Sequence, residues 1–151
     1  MTANASAQAS KRFAWRYLIS ALLSLIGLAD ALYLTVQHLT GQSLRCTIIS
    51  GCSEVLSSPY AQIGSIPLAA VGATAYFTVF SLSILAAFGY RFARPLLMAL
   101  VAVMFLMTLW LLYLQAFVIR HFCQYCLLSA AVTIVLTALL VIAPWVQNRE
   151  R

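Results

Sequence analysis

The chain has 151 residues, of which 64% are hydrophobic and only 8% are charged, and its mean hydropathy is +0.97. A soluble domain of this size cannot hide so much apolar surface from water, so the composition excludes a soluble globular protein. The formal net charge of +6 does not call for a nucleic-acid partner, because basic residues accumulate on the cytoplasmic flanks of membrane helices.

Four apolar runs, each close to the roughly 20 residues that cross a bilayer core, predict four transmembrane helices. They occupy residues 15–37, 67–90, 95–119 and 126–146. The first run is too long for a secretory signal and no cleavage site follows it, so we expect a retained anchor. The sequence predicts an all-α integral membrane protein with one four-helix bundle, 14–147, between cytoplasmic tails at 1–13 and 148–151. Residues 1–10, rich in Ala and Ser, are expected to be disordered.

The positions of the basic residues predict the orientation of these helices. Arg45 and Arg120 fall on the face opposite to the chain termini. The remaining basic residues fall on the face of the termini: Lys11, Arg12, Arg16, Arg91, Arg94, Arg149 and Arg151. This asymmetry predicts that both termini are cytoplasmic and that the opposite ends of the helices are extracytoplasmic.

Residues 38–66 form a long predicted extracytoplasmic loop between the first two helices. Their Gly, Ser, Thr and Pro content argues against a span, and long loops in compact bundles are usually functional. We expect Ser53 to cap a short interfacial helix over residues 54–56 that ends near Pro59. Residues 64–67 should lead into the second helix, with Pro67 in its first turn.

Four cysteines lie on the predicted extracytoplasmic side, where an oxidising environment permits disulfides. Cys46 and Cys52 lie in the loop, and Cys123 and Cys126 form a Cys-Gln-Tyr-Cys tetrad at the start of the fourth helix. At a helix N-terminus this spacing lets two sulfurs form a disulfide, while the free N–H groups stabilise a thiolate. Cys126 should lie nearer the apolar interior and Cys123 nearer the loop. Two static disulfides, or a zinc site of four thiolates, are the alternatives, and three pairings are open.

The chain resembles the bacterial branch of the vitamin K epoxide reductase family over essentially its whole length. The resemblance rests on Cys46-x5-Cys52, on Val-Leu-Ser-Ser-Pro-Tyr at 55–60 and Gly-Ser-Ile-Pro at 64–67, on Gly72, and on Cys-Gln-Tyr-Cys-Leu-Leu-Ser-Ala from 123 to 130. It implies a four-helix bundle that surrounds a quinone.

The resemblance also implies a role for each site residue. Cys46 and Cys52 would be a shuttle pair, Cys123 would accept exchange from Cys52, and Cys126 would face the quinone. Ser58 matches the family's quinone-side serine, although Ser-Ser-Pro-Tyr is also an ordinary turn sequence.

The implied protein is a thiol-disulfide oxidoreductase of the bacterial cytoplasmic (inner) membrane. It would oxidise a separate thioredoxin-fold carrier of the DsbA type, or substrate protein thiols, and pass electrons to a membrane quinone, ubiquinone or menaquinone. This activity would sustain disulfide formation outside the cytoplasm. We expect the carrier to be separate because the chain is too short for the fused thioredoxin-like domain of some relatives.

Two other functions stay open. Family members that reduce vitamin K epoxide carry a tyrosine four residues after the second tetrad cysteine, where this chain has Ala130. The missing hydroxyl weakens the interpretation of the protein as an epoxide or quinone reductase that uses a thiol donor. The alternative from another class is a non-enzymatic membrane protein that uses its four cysteines for metal binding or structure.

Several other side chains have both a functional and a structural interpretation. Asp30, inside the first helix, is either a proton relay or a carboxyl that is hydrogen-bonded near the interface. His121 and Arg120 either lower the Cys123 pKa or lie at the interface as ordinary polar residues. Aromatic residues that either flank a quinone or pack in the bundle are Tyr33, Tyr76, Trp110, Tyr113 and Phe117.

Overall fold

The structure is a computed structural model that describes the backbone of residues 2–41 and 51–142 and the side chains of 14–41 and 51–142. Its long helices are α1 (Thr2–Thr40), α3 (Leu68–Ala87), α4 (Ala93–Tyr113) and α5 (Gln124–Thr137). Two of them continue as π-helix, α4 through Leu114–Ile119 and α5 through Ala138–Ile142.

Four helical stretches of the described chain are long and apolar enough to span a membrane: Ala14–Thr40, Leu68–Ala87, Ala93–Ile119 and Gln124–Ile142. The prediction of four apolar helices is therefore confirmed. The predicted loop 38–66 is only partly described, because residues 42–50 lie outside the described part of the chain.

The N-terminal end of α1 differs from the prediction. We expected residues 1–10 to be disordered, but α1 already begins at Thr2. The segment contains four alanines and neither Gly nor Pro. Alanine has the highest helix propensity of all residues, so the apolar helix can extend backwards into this segment.

The segment between α1 and α3 contains more regular structure than the sequence predicted. It forms α2 (Cys52–Leu56), a 3-10 turn (Pro59–Ala61) and a hairpin of β1 (Gln62–Ile63) and β2 (Ile66–Pro67). The strands are antiparallel, with Gln62 opposite Pro67 and Ile63 opposite Ile66. Gly64 makes the connecting turn with φ of 64°, a value that glycine adopts without strain.

The caps of α2 and α3 correct two predictions. Gly51, rather than Ser53, is the N-cap of α2, and Ser53 lies inside the helix with its hydroxyl 3.1 Å from Glu54 Oε2. Pro67 is the N-cap of α3 and ends β2, so it precedes the first turn instead of lying in it. The helix accepts this start because the missing N–H of proline would have no intrahelical partner there.

The four spans pack around one apolar core. α1 lies along α3 and also contacts α5, while α4 packs against α3 and α5. The Arg16 guanidinium donates a hydrogen bond of 2.7 Å to the Leu139 carbonyl, so the beginning of the first span and the end of the fourth lie at the same end of the bundle. The buried core residues include Ala31, Ala73, Tyr76, Val79, Leu97, Val101, Val132, Leu136 and Leu140.

Tyr76 is the largest fully buried side chain and joins three helices. Its ring lies against Gly27 of α1, where a Cβ atom would overlap the ring. Its hydroxyl lies 2.8 Å from Ser129 Oγ and 2.9 Å from Thr133 Oγ1, both on α5. Gly27 is therefore required so that the Tyr76 ring can pass between α1 and α5, and Tyr76 is a packing residue.

We predict that Gly27→Ala destabilises the bundle by about 1–3 kcal/mol, because the buried ring cannot move aside without disturbing its bonds to α5. The measurement is thermal unfolding in detergent. Gly72→Ala is the matched control, since a Cβ there meets only Ala31 Cβ at 4.0 Å. Equal melting temperatures for the two variants would contradict the proposed packing.

Candidate functional site

Three of the four cysteines meet at one end of the bundle. Cys52 is the first residue of α2, Cys123 is the N-cap of α5, and Cys126 lies in the first turn of α5. Cys52 and Cys123 are 1% and 0% exposed and share an apolar cluster with Leu34 and Val55, against which Cys126 packs. Cys46, the other predicted shuttle cysteine, lies outside the described residues.

The cysteines are in different oxidation states. Cys52 is disulfide-bonded, whereas Cys123 and Cys126 are free thiols. The loop cysteine is thus oxidised while the tetrad is reduced, which is a state that a thiol relay must pass through.

Glycine at position 51 lets α2 lie directly on the backbone that precedes the tetrad. Gly51 has φ of 142°, and a Cβ there would lie 3.0 Å from Phe122 O and 3.1 Å from His121 Cβ. Hydrogen bonds from the Glu54 backbone N–H and the Ser53 hydroxyl lower the pKa of Glu54 on α2, and the nearby His121 side chain adds to this effect. These contacts hold Cys52 beside Cys123.

Gln115 is a site residue that the sequence reasoning missed. It lies in the π-helical turn Leu114–Ile119, is 4% exposed, and accepts a 3.2 Å hydrogen bond from the Cys123 backbone N–H through Oε1. The turn ends at Arg120, whose φ of 57° is left-handed. The signal in the sequence was the single amide side chain within an apolar span. Turns of π-helix are also frequent at functional sites.

The Cys123 sulfur lies where hydrogen-bond donors converge. The Cys126 thiol, followed by the backbone N–H groups of Cys126 and Tyr125, lowers the pKa of Cys123 to about 7, against the opposing effects of burial and the Asp30 charge. An N-terminal helix turn stabilises an anion in this way. Of the two thiols of the reduced pair, Cys123 is therefore the one that ionises near neutral pH.

Tyr125 fixes the tetrad against α1. Its ring lies 5.3 Å from that of Tyr33, at an interplanar angle of 45°. Edge and tilted contacts of this kind add about 0.5–1.5 kcal/mol beyond burial. Tyr33 is accordingly a packing partner of the tetrad.

A cavity of about 160 Å³ opens beside the tetrad between α1, α3, α4 and the loop. Cys126 belongs to its wall and Cys123 does not. The wall is mostly aliphatic, and its polar side chains are Asp30, His38, Ser58, Tyr60, Thr108, Gln115, Cys126 and Ser129. The two thiols of the tetrad thus have different surroundings: Cys123 lies under α2 and Cys126 lies at the cavity.

The structure places the remaining candidate residues as follows. Ser58 lies in the cavity wall, where its hydroxyl donates a 2.7 Å hydrogen bond to the Val55 carbonyl. Ala130, which replaces the family's tyrosine, lies in the same wall. Arg120 and His121 are exposed and lie outside it. None of the five aromatic residues named from the sequence lines the cavity, but Tyr60 does.

The four-thiolate zinc alternative needs Cys46, which is not among the described residues. Within 14–41 and 51–142, no three His, Cys, Asp or Glu side chains lie close enough together to hold a metal ion.

Vicinal thiols beneath an oxidised loop cysteine, set among four membrane-length helices, define the class of membrane thiol oxidoreductases. The sequence pattern of the vitamin K epoxide reductase family matches residues 18–141, which is most of the chain. The chain belongs to the vitamin K epoxide reductase family, as the resemblance indicated.

We predict that Gly51→Ala slows formation of a Cys52–Cys123 disulfide about tenfold, because a methyl group at this position pushes α2 off the backbone of 121–122. The assay is mild oxidation in a Cys46→Ser/Cys126→Ser background, followed by mass spectrometry.

The control for this experiment is Gly64→Ala, which replaces another glycine with positive φ but meets no described atom within 4 Å. Similar rates for both variants would show that backbone strain, and not contact with 121–122, governs the exchange.

We also predict that the thiolate absorbance of Cys123 in the reduced protein rises with a midpoint near pH 7. Below the midpoint the thiol predominates, and above it the thiolate. Cys126→Ala removes the strongest donor, so the midpoint should move up towards the ordinary thiol value of about 8.5. The titration uses a Cys46→Ser/Cys52→Ser background, and an unchanged midpoint would contradict the assigned donor.

Proposed function

We propose that the protein oxidises the thiols of a thioredoxin-fold carrier, or of substrate proteins, and passes the electrons through its two cysteine pairs to a membrane quinone. One observation carries this proposal: Cys126 lies in the wall of an apolar cavity, while Cys123 is buried beside Cys52. Each tetrad sulfur thus has a separate neighbour, as a relay between a thiol donor and a membrane-soluble acceptor requires.

In the proposed relay, a carrier thiolate attacks the disulfide of Cys46 and Cys52, and the carrier leaves oxidised. Cys52 then attacks Cys123 in the oxidised tetrad, which releases Cys126. Cys46 attacks the mixed disulfide at Cys52 and releases Cys123. The loop pair is oxidised again and the tetrad is a dithiol, in agreement with the free thiols at Cys123 and Cys126 and the disulfide at Cys52.

The low pKa of Cys123 favours the last of these steps. A thiol of lower pKa is a better leaving group in disulfide exchange, so the mixed disulfide resolves by expelling Cys123. The donors that stabilise this thiolate belong to α5 itself. The backbone N–H groups of Tyr125 and Cys126 are in place before the exchange begins, and the Cys126 thiol joins them once the tetrad disulfide has opened.

The cavity residues suit a quinone headgroup. Aliphatic walls would cover the ring, and a few polar side chains would face its oxygens. A quinone bound there would supply the terminal acceptor for two electrons and two protons. Ser58 can contribute a hydrogen bond only after its hydroxyl turns away from the Val55 carbonyl.

The membrane placement is part of the same proposal. The bundle would lie in a bacterial inner membrane with both termini in the cytoplasm and the tetrad on the extracytoplasmic side, as the distribution of basic residues favours. The protein would then support disulfide formation outside the cytoplasm, with ubiquinone or menaquinone as the acceptor.

The second candidate function is reduction of vitamin K epoxide by a thiol donor. Ala130 disfavours it, because the side chain at the family's tyrosine position lies in the cavity wall and carries no hydroxyl. Product analysis after incubation with an epoxide and a dithiol would reveal this activity.

The decisive experiment is quinone reduction by purified protein with a reduced DsbA-type carrier. We predict that serine at any one of Cys46, Cys52, Cys123 and Cys126 abolishes turnover, because each sulfur takes part in at least one step of the relay. Ser57→Ala is the control, since Ser57 is exposed and lies outside the cavity wall. Turnover that survives loss of Cys126 would disprove its role as the quinone-facing thiol.

A further inference from the structure

Asp30 is a buried carboxyl group in the membrane-spanning part of α1. It is 7% exposed and lies in the wall of the same cavity as Cys126. Carboxyl groups within membrane helices are rare because ionisation is costly there. Its burial beside the redox-active thiol therefore needs a physical reason.

One oxygen of the Asp30 carboxyl lacks the partner that a structural group would have. Its Oδ2 atom is buried and has no hydrogen-bond partner among the described residues. The described cavity wall contains no Lys or Arg that could neutralise a carboxylate. The sequence left open that a neighbouring helix holds this carboxyl by a hydrogen bond. No described residue makes such a bond to Oδ2.

Three other polar side chains of the cavity wall are poor sources of a proton. Quinone oxygens accept hydrogen bonds, but the Ser58 hydroxyl donates to Val55 and His38 Nε2 lies 2.9 Å from the Gln62 amide nitrogen, which donates to it. Gln115 accepts a hydrogen bond from the Cys123 backbone through Oε1, and its amide N–H groups can donate hydrogen bonds but do not ionise. A protonated Asp30 would be an acid in this wall.

Asp30 is also close enough to the tetrad to affect it. Its negative charge acts to raise the pKa of Cys123, against the donors described above. A neutral Asp30 would accordingly leave the Cys123 thiolate more stable, so proton occupancy at Asp30 and charge at the tetrad are linked.

We propose that Asp30 carries a proton from the Cys126 thiol to the oxygen of a quinone bound in the cavity. The inference rests on the proposed function. The dithiol loses two electrons and two protons as the Cys123–Cys126 bond forms, and the quinone gains both and leaves as the hydroquinone. Asp30 gives one proton to a quinone oxygen and regains one from Cys126, so it ends the cycle unchanged. The second proton comes from the Cys123 thiol, or from solvent water when Cys123 is already a thiolate.

The first test compares Asp30→Asn with Asp30→Glu in single-turnover reduction of a short-chain ubiquinone by the dithiol form. Asparagine keeps the size and a hydrogen-bond donor but cannot exchange a proton, whereas glutamate remains an acid. We expect at least about a hundredfold slower quinol formation with asparagine and partial retention with glutamate. Oxidative formation of the Cys52–Cys123 bond should proceed at the wild-type rate in both variants.

The second test does not depend on turnover. The chain has only three acidic residues, so the infrared C=O band of a protonated carboxyl can be assigned by substitution. We expect a band that is present in the wild type and in Glu150→Gln, absent in Asp30→Asn, and shifted when the ubiquinone is added. Asp30→Glu, which keeps a carboxyl in a different position, should shift the band and so assigns it even if Asp30→Asn folds poorly.

Three results would overturn the inference. Wild-type quinol formation by Asp30→Asn would show that no proton passes through this residue. A wild-type protein without the band would show that Asp30 is ionised and has no proton to give. A wild-type protein that reduces no quinone would overturn the proposed function and this inference with it, and would thus be distinguished from failure of Asp30 alone.

Discussion

The backbone N–H groups at the start of α5 must find partners away from water, and the site is organised around this requirement. The first turn of any helix leaves its N–H groups without intrahelical acceptors, and an unpaired group in an apolar setting costs several kcal/mol. Here the Cys123 N–H bonds to Gln115, and the N–H groups of Tyr125 and Cys126 are directed to the Cys123 sulfur. The groups that satisfy the helix end are also those that activate the thiol.

The same requirement explains polar contacts elsewhere in the bundle. The Arg16 guanidinium bonds the Leu139 carbonyl in the π-helical end of the fourth span, and the Tyr76 hydroxyl donates to the Ser129 carbonyl on α5. Both side chains belong to other helices than the carbonyls they satisfy. These hydrogen bonds from side chains to backbone carbonyls therefore link neighbouring helices. Apolar contact alone would give little preference for another helix over lipid as a neighbour.

The sequence was sufficient for the four helices and for the position of the Cys-x-x-Cys tetrad at the start of one of them, because both depend on local signals. Apolar runs of membrane length predicted the four spans, and the Cys-x-x-Cys spacing predicted a thiol pair at the start of a helix. Asp30 was identified because a carboxylate within an apolar run is exceptional. These signals need no knowledge of tertiary contacts.

The missed features all depend on contacts between distant segments. Gly51 caps α2 because the backbone at 121–122 leaves no room for a side chain, and nothing in the local sequence shows this. Gln115 becomes a site residue only because the π-turn and the left-handed Arg120 bring its amide to Cys123. The hairpin of β1 and β2 is too short for a strand pattern to be read.

The hydrogen bond from Cys126 to Cys123 exists only in the dithiol, because neither sulfur has a proton or a charge once the disulfide forms. The N-terminus of α5 consequently holds an anion in one redox state and a neutral sulfur in the other. Stabilising the reduced form of a dithiol raises its reduction potential and makes the disulfide a stronger oxidant. The end of a membrane helix therefore makes the disulfide of Cys123 and Cys126 easier to reduce, whichever thiol supplies the electrons.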